Sequence, residues 1–201
     1  MMKKMVYALA LSVALAGGAR AQVVTGEPAP AFELKDTGGT SHTLSSFKGK
    51  YVVLEWINHG CPFVVKHYGA GNMQALQTEY TGKDVVWLSI CSSAEGKQGY
   101  YTAEEWQKVN EKKGGKATAI LLDGEGTVGK LYGAKTTPHM YVINPEGTLI
   151  YQGAIDNNPS ADAKDIPGAK NYIKAALDEA MAGKPVTTGQ TKPYGCGVKY
   201  K

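Results

Sequence analysis

The sequence predicts an α/β domain whose helices flank a central mixed β-sheet, and three features predict it. Two apolar runs, residues 51–57 (YVVLEWI) and 84–91 (DVVWLSIC), are short and rich in β-branched and aromatic side chains. That is the pattern of strands buried on both faces. Residues 62–81 between them are helix-like, which makes a strand–helix–strand unit and so a parallel pair. Further on, Asn144-Pro145-Glu146-Gly147 is a hairpin turn joining runs 140–143 and 148–152, which adds antiparallel pairing.

In chain order, residues 1–21 read as a signal peptide. Lys3 and Lys4 give a basic start, residues 5–16 an apolar core, and Ala19-Arg20-Ala21 an A-x-A cleavage site after Ala21. The apolar core is shorter than the roughly 20 residues that span a bilayer. A secreted or periplasmic protein with no membrane span after cleavage is therefore expected, with an uncleaved N-terminal anchor as the alternative. Residues 22–183 are expected to form one domain, and 184–201 a Thr/Gly/Pro-rich tail carrying Cys196.

Residues 23–31 are punctuated by Gly26, Pro28 and Pro30 and should be extended. Residues 32–35 and 41–44 flank the turn Asp36-Thr37-Gly38-Gly39 and suggest an N-terminal hairpin, followed by a helical turn over 44–47. The strand at 51–57 ends in Asn58-His59-Gly60, and Cys61-Pro62 opens a helix. Gly69-Ala70-Gly71 breaks that helix, and a second piece runs on through Met73, Leu76 and Tyr80. After the strand ending at Cys91 comes a polar loop, 92–99. Thr102 and Glu105 have capping-box spacing, and Gly114-Gly115 ends the helix that they start over 103–113. A short strand at 117–122, a helical turn at 128–132 closed by Gly133, and Thr137-Pro138-His139 lead to the hairpin. An irregular polar loop, 153–165, precedes an amphipathic helix over 169–181 with Tyr172, Ile173, Ala176, Leu177 and Ala180 on one side.

Without residues 1–21 the chain carries 19 basic and 18 acidic side chains, with lysines scattered along it. No nucleic-acid footprint is present. Arg20 is the only arginine, so any chemistry that needs a guanidinium fork in the mature chain is excluded. The three cysteines, Cys61, Cys91 and Cys196, are too few for a disulfide scaffold and form no C-x-x-C pair.

Cys61 is the focus. Pro62 is suited to the first helical position, so Cys61 sits at or just before a helix N-terminus. Unpaired N–H groups and the helix dipole favour negative charge there, which lowers a thiol's pKa. The competing reading is an ordinary buried structural cysteine.

The order of elements and several short motifs resemble the thioredoxin-fold redoxins, the group that includes exported peroxiredoxin-like proteins of the alkyl hydroperoxide reductase/thiol-specific antioxidant type. The carriers are PAPAFELKDTGG at 28–39, FKGKYVVLEW at 47–56, Cys61-Pro62, Thr137-Pro138 and NPEG at 144–147. Within that group the chain is similar to members with one Cys-Pro and a Gly-Cys near the C-terminus, here Cys196. The resemblance implies a thioredoxin-like fold with an N-terminal hairpin extension and a thiol oxidoreductase needing no cofactor. It also implies a proline at 138 facing Cys61, and parallel neighbouring strands that bring Cys91 toward the same edge. Partners would be protein thiols or disulfides, or small peroxides, with an external reductant.

The departures narrow this. Val64 occupies the place of a thioredoxin's second cysteine. Peroxiredoxins carry Thr or Ser three residues before the cysteine and an arginine nearby; here the position is Asn58 and no arginine exists. Asn58 can donate a hydrogen bond, and Lys66 or His59 could add positive charge, but fast peroxide reduction is not expected. Thiol–disulfide exchange needs only a thiolate, access and a second thiol. Between flexible glycines, Cys196 is the expected partner of Cys61, and Cys91 is expected to be structural. The alternatives are a static Cys61–Cys196 or Cys91–Cys196 staple, or a non-catalytic copper or thiol-carrier protein binding metal through Cys61, His59 and His139.

Overall fold

In a computed structural model that describes residues 23–201, one seven-stranded mixed sheet runs through the molecule. The expected signal peptide lies outside the described residues. Strands β1 (Glu33–Asp36), β2 (Ser41–Thr43), β3 (Val52–Trp56), β4 (Val86–Cys91), β5 (Ala119–Leu122), β7 (His139–Ile143) and β8 (Leu149–Gly153) stand in the order β2-β1-β5-β4-β3-β7-β8. Parallel pairing joins β3 to β4 and β4 to β5, and the other pairs are antiparallel. This is the thioredoxin-like mixed sheet that the sequence predicts. The N-terminal hairpin is less of an extension than expected, because β1 pairs with β5 and lengthens the sheet itself.

Central position explains the uninterrupted apolar runs. Every residue of β3 and β4 is buried. Val53, Ile57 and Trp87 face one side of the sheet, and Val52, Leu54, Trp56 and Leu88 the other. Each such large apolar side chain contributes about 1.5–3 kcal/mol on burial. Glu55 is the exception on β3. Its carboxylate accepts from Tyr68 Oη at 3.0 Å, Trp87 Nε1 at 2.8 Å, Ser89 Oγ and Gln77 Nε2 at 3.1 Å each. A carboxylate removed from water needs such donors, and these four tie β3 to β4 and to two helices.

Helices α1 (Pro62–Gly69) and α2 (Asn72–Thr81) are divided at Ala70-Gly71, as Gly69-Ala70-Gly71 suggests. Helix α3 (Ala103–Lys113) opens with the Thr102–Glu105 capping box and closes at Gly114, where φ is +66°. Helix α4 (Thr127–Tyr132) ends at Gly133. Helix α5 (Tyr172–Met181) starts later than its apolar periodicity suggests, because the Asn171 side chain accepts from Lys174 N and caps it. On α5, Ile173, Ala176 and Leu177 are buried against the β3 face that also carries Val53.

The Thr/Gly/Pro-rich tail is ordered along the sheet. Gln190 bridges Gln152 at the end of β8 in parallel register, with Gln152 N–H donating to Gly189 O and Thr191 N–H to Gln152 O, both at 3.0 Å. The chain then crosses the ends of the strands, and β9 (Cys196–Gly197) pairs antiparallel with β6 (Thr136–Thr137). Lys199 O receives Ala94 N–H at 2.8 Å, and Tyr200 Oη donates to Ala134 O at 2.8 Å. The composition that reads as loop is that of a strap held by main-chain hydrogen bonds.

Candidate active site

Cys61 lies where the β3–α1 turn delivers it. Its N–H donates to Asn58 O at 2.9 Å, its carbonyl receives Val65 N–H, and it is the N-cap of α1 with Pro62 at the first helical position. The Val64 N–H at the third helical position faces the sulfur, without closing a cap hydrogen bond of ordinary geometry. Across the turn stands the cis Thr137–Pro138 bond, and the Cys61 thiol donates to Thr137 O at 3.0 Å. The β6–β9 register sets Cys196 opposite Thr137, so the Cys196 thiol comes within hydrogen-bonding reach of Cys61.

The two thiols are electrostatically unlike. Burial works against a Cys61 thiolate. The Cys196 thiol, the Val64 and Cys196 N–H groups and the Thr137 hydroxyl outweigh it and hold the Cys61 pKa below the ordinary thiol value. Burial and the neighbouring Cys61 push Cys196 up to about 11. Cys61 is thus the group that ionises, and Cys196 the group that keeps its proton and donates it. The Thr137 hydroxyl is buried and makes no hydrogen bond of ordinary geometry, which leaves its proton free to turn to the sulfur. Thr137 was legible only as the residue before a proline.

Asn58, three residues before Cys61, uses its amide within the fold. Its amide donates to Gln98 O at 3.1 Å and its Oδ1 accepts Gly60 N–H at 2.8 Å, so it clamps the Cys61 turn to the loop after β4. Neither source of positive charge materialises beside Cys61. Burial lowers His59 to about 4, and its ring is edge-on to Tyr68 at 4.8 Å. Lys66 Nζ donates to Asn158 O at 3.1 Å and lies 3.9 Å from Asp156. The metal alternative of Cys61, His59 and His139 is not assembled either. Among the described residues no three His, Cys, Asp or Glu side chains are grouped to hold an ion. His139 spends Nδ1 on Lys135 N–H and Tyr141 Oη, both at 3.2 Å, and His59 packs among aromatic rings.

Cys91 ends β4 beside β3, as the topology predicts, but its thiol turns to Gly99 O at 3.4 Å and burial raises its pKa. Cys196 therefore holds the place beside Cys61 that the parallel strands suggested for Cys91. Cys61 itself is 0% exposed.

A profile of the AhpC/TSA family matches residues 25–152, from the first extended segment through β8. The chain belongs to the AhpC/TSA family. Among solved structures, this redoxin is similar to a hypothetical protein from Sinorhizobium meliloti, with 27% identity and a TM-score of 0.75 over 90% of this chain and 97% of that one. An uncharacterized conserved protein from Geobacillus kaustophilus is similar at 29% identity and a TM-score of 0.74, over 90% and 94%. The thioredoxin domain of a thiol-disulfide oxidoreductase from Bacteroides vulgatus shares the fold at 23% identity and a TM-score of 0.51, over 65% and 89%. No curated protein matches this chain. Among the described residues no helix is long and apolar enough to cross a membrane.

Proposed function

We propose that this redoxin is an exported thiol–disulfide oxidoreductase whose redox unit is the Cys61–Cys196 pair. The observation that carries the reading is the β6–β9 pairing, which holds a proton-bearing thiol against a thiol biased toward ionisation. In the forward direction the Cys61 thiolate attacks one sulfur of a partner disulfide, forming a mixed disulfide and expelling the other sulfur as a thiolate. Cys196 then gives up its proton to the departing group and attacks the Cys61 sulfur. A Cys61–Cys196 disulfide forms, and the partner leaves with one thiol and one thiolate, which takes back from water the proton that Cys61 released on ionising. The pair has lost two electrons and two protons, and the partner disulfide has gained both. An external dithiol reverses the change. Thr137 and the Val64 N–H stabilise the Cys61 thiolate each time it forms, and Asn58 keeps the turn in place.

Peroxide reduction of the fast kind lacks its usual means, since none of the described residues is an arginine and the nearby His59 is driven neutral. Disulfide mapping of the mature protein after mild oxidation tests the proposal. It expects a Cys61–Cys196 bond that a dithiol reduces, with Cys91 left free. A Cys61 that stays reduced, or that pairs with Cys91, would overturn it.

A further inference from the structure

Cys61 is fully covered, although it stands at the strand ends where an open sheet keeps its sites. The C-terminal strap contributes to that cover, by pairing β9 with β6 and setting the Cys196 thiol against Cys61. Two clefts flank the strap at residues 191–193. One of about 380 Å³ is bounded by Gly133, Lys135 and His139, and one of about 390 Å³ by Asp156, Pro159 and Tyr172. Thr191, Lys192 and Pro193 line both, so this stretch of the strap stands between the two clefts.

The strap is held by hydrogen bonds at the surface, with no buried residue of its own over 182–201, and its pairing to β6 covers only two residues. On one side Tyr194 donates to Asp156 Oδ1, lies 3.3 Å from His67 Nε2 and packs edge-on to Phe63. On the other, Tyr200 bonds Ala134 O. Segments with few buried contacts open at the lowest cost.

Resting on the exchange activity proposed above, we infer that the strap is an internal occupant of a groove for an extended, cysteine-bearing polypeptide segment of a partner protein, and that Tyr194 is the latch that keeps it seated. The seated strap shows what the groove accepts. It is an extended backbone that pairs antiparallel with Thr136–Thr137 and presents a sulfur to Cys61, with a residue lacking Cβ just before it. A Cβ on Gly195, whose φ is +136°, would lie 2.1 Å from Thr137 O. The partner segment takes the strap's place to reach Cys61, and once the mixed disulfide has formed the strap reseats along β6 and returns Cys196 to resolve it.

The test uses the full mature chain, reduced, with N-ethylmaleimide as the probe and labelling read separately at Cys61 and Cys91. Tyr194→Phe keeps the ring and removes the hydroxyl that bonds Asp156 and faces His67. It is expected to raise the Cys61 labelling rate about tenfold or more and leave Cys91 unchanged. A synthetic peptide of residues 190–198 with serine in place of Cys196, QTKPYGSGV, should restore protection. An unchanged Cys61 rate, a parallel rise at Cys91, or failure of the peptide to protect would each overturn the inference. Labelling does not depend on turnover, so disulfide exchange measured on the same samples fails or succeeds separately.

Discussion

At the residue scale, the chemistry depends on how the pKa of one buried sulfur is held below the ordinary thiol value without a nearby cation. A helix N-terminus supplies part of the answer and was visible in Cys61-Pro62. The remainder comes from Thr137 and Cys196, which are 76 and 135 residues away along the chain; spacing in the sequence does not reveal such approaches. Thr137→Val keeps the shape of the side chain and deletes the hydroxyl that faces the sulfur. The Cys61 pKa should rise, read from the pH dependence of alkylation or thiolate absorbance, while the Cys61–Cys196 bond still forms on oxidation. An unchanged titration would show that the hydroxyl does not act on the sulfur. Asn58 teaches the converse. The sequence shows that its amide can donate a hydrogen bond; the acceptor, Gln98 O in the loop after β4, is a partner that only the fold supplies.

At the element scale, the regular pieces were legible because local signals and tertiary burial agree. The α3 capping box, the break between α1 and α2 and the hairpin at residues 144–147 each have a turn or cap chemistry that works within a few residues. The strap had no such signal. Its order comes from backbone groups of β6, β8 and the loop after β4, and a Thr/Gly/Pro-rich composition hides that kind of bonding. Two glycines, Gly129 on α4 and Gly195 in the strap, have a purpose that composition alone does not show. At Gly129 a Cβ would lie 2.5 Å from Tyr200 Oη, so a bare backbone there lets the end of the strap dock. Gly195→Ala would push a methyl into Thr137 O and should unseat β9 while leaving the seven-stranded sheet intact. The expected result is slower closure of the Cys61–Cys196 disulfide, by about tenfold or more, with far-UV circular dichroism unchanged. Closure at the wild-type rate would mean that the β6–β9 pairing does not position Cys196.

At the scale of the whole molecule, burial on both faces of the sheet has also trapped three histidines in neutral form. Burial lowers His59 and His67 to about 4 and His139 to about 3, whereas the unfolded chain binds these protons near 6.5. Between those limits the unfolded state holds more protons than the folded one, so stability falls as pH drops from 6.5 toward 4. Each such histidine contributes up to about 1.4 kcal/mol per pH unit in that window. Glu55 acts in the opposite sense. Burial raises its pKa, so the folded state keeps a proton that the unfolded chain releases above about 4.5, and this costs stability as pH rises through the same region. Three groups against one leave a net gain in stability with rising pH. The two contributions separate by substitution. His139→Gln keeps an oxygen that can accept from Lys135 N–H and Tyr141 Oη but cannot take up a proton, so the pH slope of the unfolding free energy should fall by about one proton's worth. Glu55→Gln should instead steepen the rise above about pH 4.5. Denaturant melts from pH 4 to 7 on the reduced protein read both slopes. An acid limb that keeps its full steepness in His139→Gln would show that this buried ring does not set it.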